Sequence, residues 1–215
     1  RAPGYRGVAR AWGLVGFHAR AGLRTRPPGP GHGDRPHSGH DRRQGRDRLD
    51  HRGVGAIFPE AWAELAADVS SGERVIEHYA AVMRQPDPAA RAAAADRWDR
   101  WESTHISLDP AWQPGPTHED ARTRENFATL VTHYWANDCF LRGEDAILPR
   151  AAELAGIPGV LIHGRYDVSG PAITPWRLHH AWPGSRLEIV ESEGHGGAIE
   201  MELTTEAIDG FASRL

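Results

Sequence analysis

The chain has 215 residues, is 40% apolar, and sets 25 basic against 29 acidic side chains for a net charge of −4. One core can be buried at this size, and no apolar run approaches the roughly 20 residues that a membrane-crossing helix needs. The lone cysteine, Cys139, excludes an internal disulfide framework, and the first residues lack the apolar stretch of a signal peptide, so a cytoplasmic, soluble protein is the expectation.

The charge is unevenly spread. Residues 1–52 hold twelve Arg and four Asp, a local +8 that leaves −12 for the remainder, and they contain no Glu, Ile, Lys, Asn, Met or Cys. Gly, Pro, His and Arg crowd together there, as in Pro27-Pro-Gly-Pro-Gly-His-Gly-Asp-Arg-Pro36. Too little apolar surface is available to offset the entropy of ordering, so disorder is expected for this segment.

Ordinary globular sequence begins at Gly53. Pro59 suits a first helical position, and Trp62, Leu65 and Val69, then Val75, Ile76, Tyr79 and Val82, recur at helical spacing across a break at Ser70-Ser-Gly72, which predicts two short helices. A third is expected from about Pro88 to Thr104, with Trp98 and Trp101 on one face, and a fourth from about His118 to Trp135. Residues 53–150 therefore read as a helical layer.

From residue 151 to 215 strands and helices alternate. Val160–His163 reads as a buried strand, Ile173–Trp182 as a helix, Arg186–Glu191 as a second strand and Glu202–Leu215 as a closing amphipathic helix. Such a βαβα run implies an α/β class with parallel strands, and two strands alone do not make a stable sheet. The missing strands are expected before the helical layer, where residues 1–52 stand.

Chemistry concentrates at the ends of the two strands. Asp167 closes Val160-Leu-Ile-His-Gly-Arg-Tyr-Asp167, and His195 follows Leu187-Glu-Ile-Val-Glu-Ser-Glu-Gly-His195. An acid after one strand and a histidine after the next is the layout of the last two members of a Ser-Asp-His triad in α/β hydrolases. Such a carboxylate orients the imidazole while the imidazole takes the proton of a serine.

Several segments resemble prolyl aminopeptidases, also called proline iminopeptidases: Gly53-Val-Gly-Ala-Ile-Phe-Pro-Glu-Ala-Trp62, Arg97-Trp-Asp-Arg-Trp-Glu-Ser103, Thr132-His-Tyr-Trp135, Ile157 through Asp167, His180-Ala-Trp-Pro183 and Glu193-Gly-His195. The resemblance runs from about residue 53 to about residue 197. It implies part of an α/β-hydrolase fold with a helical cap, a serine peptidase without cofactor, and peptide substrates with a free N-terminus. Asp167 and His195 take the catalytic positions. Glu102, in Trp101-Glu-Ser103, matches a cap glutamate that holds the substrate amine. A second such glutamate is replaced by Val131, which unsettles a strict preference for proline.

The family's nucleophile lies in Gly-Gly-Ser-Trp-Gly-Ser, and no Gly-x-Ser-x-Gly occurs in this chain. Every basic residue is Arg and none is Lys, which points to GC-rich DNA with long open frames in more than one register. Read one base later, the codons of Gly13 through Arg24 permit Gly-Ser-Trp-Gly-Ser-Thr-Leu-Ala-Leu-Ala-Tyr-Ala, the family's elbow and the start of its helix. Arg1 through Tyr5 permit Glu-His-Leu-Gly-Ile. Residues 1–52 are therefore expected to be a frameshifted translation, with the serine codon straddling Leu14 and Val15, and the chain as it stands is expected to be inactive.

Other functions have less behind them. Thirteen histidines invite a metal, yet His-Glu-x-x-His and Cys-x-x-Cys are both missing from the sequence, so no metal is expected. An Arg-rich arm could bind nucleic acid phosphates, but its few aromatics and the acidic remainder argue against that alternative. Cys139 is expected to be a buried apolar residue, and of His179 and His180 one is expected to face inward.

Overall fold

The computed structural model describes residues 53–111, 119–141 and 146–214. The disorder expected for residues 1–52, the frameshift and the helix start at His118 lie outside them.

After a single helical turn at Gly53–Gly55, four longer helices form the first layer: α1 (Pro59–Leu65), α2 (Val75–Val82), α3 (Pro88–His105) and α4 (Ala121–Ala136). Their starts follow from local chemistry. Asp87 caps α3 by accepting the Ala89 N–H at 2.9 Å, with Pro88 in the first turn where its missing N–H costs nothing. Asp120 caps α4 by accepting the Thr123 N–H at 2.7 Å. The layer closes over Leu65, Ile76, Tyr79, Met83, Trp98 and Trp101, with Trp98 and Trp101 only 0% and 2% exposed, so the i, i+3 tryptophan face read from the sequence is the core face. Tyr79 donates its hydroxyl to the Leu65 carbonyl at 2.9 Å, which satisfies the one polar atom that this ring carries inward. Arg91 to Glu125 and Arg124 to Asp96 then tie α3 to α4 at 2.6 and 2.7 Å.

The second part contains β1 (Gly159–Gly164), α5 (Ile173–Ala181), β2 (Ser185–Val190) and α6 (Ala198–Ala212). β1 and β2 pair in parallel from Gly159↔Ser185 to Gly164↔Val190, with α5 as the crossover. The indole of Trp182 lies directly on Gly159, where any Cβ would overlap it, and its N–H is shared between the carbonyls of Leu154 and Ile157 at 3.1 Å each. Among the described residues the sheet has two strands. With the helical layer this is part of an α/β-hydrolase fold.

Two local expectations change, and one element is added. α6 begins at Ala198 rather than Glu202, because the Glu193 carboxylate accepts the Ile199 and Glu200 N–H groups at 2.7 and 2.9 Å and so caps the helix from outside it. Cys139 is half-buried rather than buried, inside a left-handed run in which Asp138, Cys139 and Phe140 have φ of 51°, 53° and 58°. Leu148–Leu154 forms a 3-10 helix that carries no clear periodic signal. His179 and His180 do face opposite ways: His179 Nδ1 sits 2.9 Å from Ser185 Oγ, while exposed His180 stacks on Trp176. Among the described residues no helix is long and apolar enough to cross a membrane.

Candidate active site

Each strand ends in a loop that turns back over the sheet. Arg165 N–H donates to the Val190 carbonyl at 2.8 Å and Tyr166 N–H to the Glu193 carbonyl at 2.9 Å, so the two loops are laced together immediately before Asp167 and His195. The helical layer grips the same loops. His195 N–H donates to the Ile106 carbonyl at 3.2 Å and Leu108 N–H to the Tyr166 carbonyl at 3.0 Å. Gly194 lies so close to Ser107 that a Cβ there would overlap the serine side chain. Val168, next to Asp167, is part of the helical core, which fixes the acid from its other side.

Asp167 and His195, 28 residues apart, meet with Oδ2 2.7 Å from Nδ1. Asp167 is 7% exposed. Its other oxygen, Oδ1, accepts the Ser169 hydroxyl and the Gly170 N–H, both at 2.7 Å. Burial, the largest influence on this carboxyl, pushes its pKa up, but the His195 bond and charge with the Gly170 and Ser169 donors outweigh it and hold the group below the usual carboxylate value. The Asp167 bond raises the His195 pKa against the opposing effect of burial, assisted by the charges of Asp167, Glu102 and Glu200. With Nδ1 committed to the carboxylate, Nε2 is the ring nitrogen left to exchange a proton. Among the described residues no hydroxyl meets it.

Glu102 lies at the end of α3, and its interaction with His195 counts for both groups. Burial pushes its carboxyl up to about 7, countered in part by the His195 charge and a hydrogen bond with Trp98. One turn on, His105 is 4% exposed and stacks on Trp101 with ring centroids 4.5 Å apart. Its Nδ1 lies 2.6 Å from the Trp101 carbonyl, which can only accept, so Nδ1 carries the proton and Nε2 offers a lone pair 3.8 Å from Glu102 Oε2. Burial lowers the His105 pKa to about 4, so the ring is neutral at pH 7. Val131 is half-buried on α4 and packs against the helical core.

This pair gives opposite stability slopes. A histidine depressed from about 6.5 to about 4 favours the fold above the unfolded value and loses that advantage as pH falls through the window between them, by about 3 kcal/mol. A glutamate raised from 4.5 to about 7 does the reverse, costing stability as pH rises through its own window. In urea unfolding between pH 7 and pH 4, His105→Phe is therefore expected to remove an acid-side loss of about 3 kcal/mol relative to the parent chain. Parallel pH profiles for the two proteins contradict the buried, neutral ring.

Of the residues singled out in the sequence, Asp167 and His195 are joined at 2.7 Å and Glu102 interacts electrostatically with His195. The structure adds Ser169, His105, His163 and Glu200, none of which the sequence reading singled out. Ser169 had a signal, since a serine and a glycine two and three residues after an aspartate form an Asx-type turn. His163 comes with the strand that leads to Asp167, four residues earlier, while His105 and Glu200 reach the site through tertiary packing. Among the described residues no group of three His, Cys, Asp or Glu is placed to hold a metal ion. A surface depression of about 530 Å³ opens beside Glu64, Asp96, Arg97 and Arg124, and neither Asp167, His195 nor Glu102 lines it.

No family model matches the chain. Individual proteins do. It is 40% identical over 169 residues to a probable proline iminopeptidase of Streptomyces coelicolor, covering 75% of this chain and 51% of that protein. The proline iminopeptidases of Xanthomonas citri and Arabidopsis thaliana are 37% and 31% identical over 167 and 159 residues, covering 74% and 73% of this chain and 52% and 42% of theirs. The chain thus spans about half the length of the curated relatives it matches.

Proposed function

Since the chain is, over three quarters of its length, a relative of the proline iminopeptidases, a hydrolase family, we propose that the complete protein is a serine aminopeptidase that releases N-terminal proline or a similar residue from peptides. The observation that carries this is the buried Asp167 to His195 contact of 2.7 Å with Nε2 left free.

In this reading a serine Oγ attacks the first carbonyl of the peptide and passes its proton to His195 Nε2. Asp167 stabilises the imidazolium, and backbone amides hold the tetrahedral oxyanion. His195 then protonates the departing amine, leaving an acyl-enzyme, and water attacks that ester with His195 again accepting the proton. No metal or organic cofactor enters. Glu102 receives the protonated α-amine: an ammonium beside it favours its ionised form, so substrate binding releases a proton when the carboxyl starts out neutral.

The serine belongs to the frame hidden under residues 1–52. The 215-residue chain, which holds no Gly-x-Ser-x-Gly, is accordingly inert as an enzyme. A cytoplasmic location accords with a chain that holds a single cysteine.

The test is discrimination at the amine. The complete protein, with codons 1–52 read one base later, is expected to hydrolyse a proline arylamide and to refuse the N-acetylated one, and Glu102→Gln to raise KM for the free amine by about 10- to 100-fold. Equal hydrolysis of both arylamides removes the aminopeptidase assignment.

A further inference from the structure

Ser169 stands where the two members of the pair can both be held. Its Oγ lies 2.7 Å from Asp167 Oδ1 and 3.2 Å from His195 Nδ1, with the ring nitrogen itself 2.7 Å from Asp167 Oδ2. A hydroxyl has one proton and two lone pairs. Oδ1 of an ionised carboxylate can only accept, so the proton goes to Asp167 and a lone pair of Oγ faces His195. The Nδ1–H is then shared between a carboxylate oxygen and a hydroxyl oxygen, a three-centre arrangement in which either acceptor demands the same tautomer.

We propose that Ser169 is a positioning residue: its hydroxyl closes a ring of hydrogen bonds that locks Asp167 in its ionised orientation and His195 in the Nδ1–H tautomer, leaving Nε2 as the base. The assignment rests on the hydrolase reading for its purpose but not for its geometry. Without Ser169, Asp167 Oδ1 keeps the single Gly170 N–H and the carboxylate can pivot about it. His195 then loses the second oxygen that makes the Nε2–H tautomer unfavourable. His163 supplies no substitute, since its Nε2 is 3.9 Å from Asp167 Oδ2 and has no hydrogen-bond partner. The groups that bear on the titration of the pair are His163 from β1, Glu102 and His105 from α3 and Glu200 from α6. All of them remain in the variants below, so a change between variants belongs to position 169.

Nitrogen-15 imidazole spectra and carbon-13 carboxyl titration of the full 215-residue chain test the proposal without any need for turnover. In the parent chain above the His195 midpoint, Nδ1 is protonated and Nε2 bare; an Nε2–H tautomer there overturns it outright, whatever the variants do. Ser169→Ala is expected to speed exchange of the Nδ1 proton with water by about tenfold, the factor one lost hydrogen bond carries, and to move the Asp167 midpoint upward. Ser169→Thr, which keeps the hydroxyl, restores both. If Ser169→Ala leaves both signals unchanged, or Ser169→Thr fails to restore them, Ser169 only fills space in the turn. Because activity is not the readout, failure here is distinct from failure of the aminopeptidase assignment.

Discussion

In the full-length protein of which this chain is part, reading the codons of residues 1–52 one base later, and returning to the present frame at about Gly53, is expected to raise kcat/KM for a proline arylamide by at least about 10⁴ over the same protein in the present frame. The magnitude follows from what is supplied. Removing a serine nucleophile alone costs on the order of 10⁶ in well-studied serine hydrolases, and what survives comes from the oxyanion hole and binding. The present chain lacks the elbow whose following N–H forms part of that hole, so even the residual share is reduced. The structural side is ready for the missing piece. β1 and β2 are a two-stranded parallel pair among the described residues, and parallel sheets in α/β folds are stable only with further strands. The shifted frame permits Gly-Ser-Trp-Gly-Ser followed by a run rich in Ala and Leu, which is an elbow leading into a helix. Arylamide assays of both proteins decide the matter, and sequencing the locus across the codons for His51 to Gly53 is independent of expression. Absence of any insertion or deletion in this locus relative to an intact close relative counts heavily against a frameshift.

In the restored protein Asp167→Asn is expected to lower kcat by about 10⁴ with little change in KM. The carboxylate now accepts the Nδ1–H of His195 at 2.7 Å. An asparagine that keeps its carbonyl toward Ser169 and Gly170 presents its amide N–H₂ to the ring instead, and Nδ1 must then accept. The proton moves to Nε2, and the lone pair that should take the serine proton is gone. Folding is affected far less, because the Ser169 and Gly170 donors still have an acceptor. A variant that retains kcat within tenfold shows that the carboxylate is only structural. One that loses activity because it unfolds is distinguished by thermal melting.

Much of this arrangement is legible in the residues. Periodicity and capping chemistry mark α1 to α4, and the strand ends mark Asp167 and His195, since apolar runs and turn residues carry those signals locally. α6 starts four residues before its sequence signal because its cap comes from Glu193, a loop side chain folded back on the helix start. The exposure of Cys139 is not legible, because its surroundings follow from three consecutive left-handed residues that no local propensity favours. His105 carries no pattern of its own. Its tautomer and neutrality come from Trp101 one turn earlier and from burial under the strand loops.

The two backbone bonds that join Ile106 to His195 and Leu108 to Tyr166 have a mechanical consequence. They stitch the end of α3 to both loops at once, one stitch beside the base and one beside the acid. A helical layer hinged elsewhere could swing aside as a lid while the chemistry below stayed still. Here any such swing has to break both bonds and pull on acid and base together, so the end of α3 and the two strand loops are coupled as one mechanical unit.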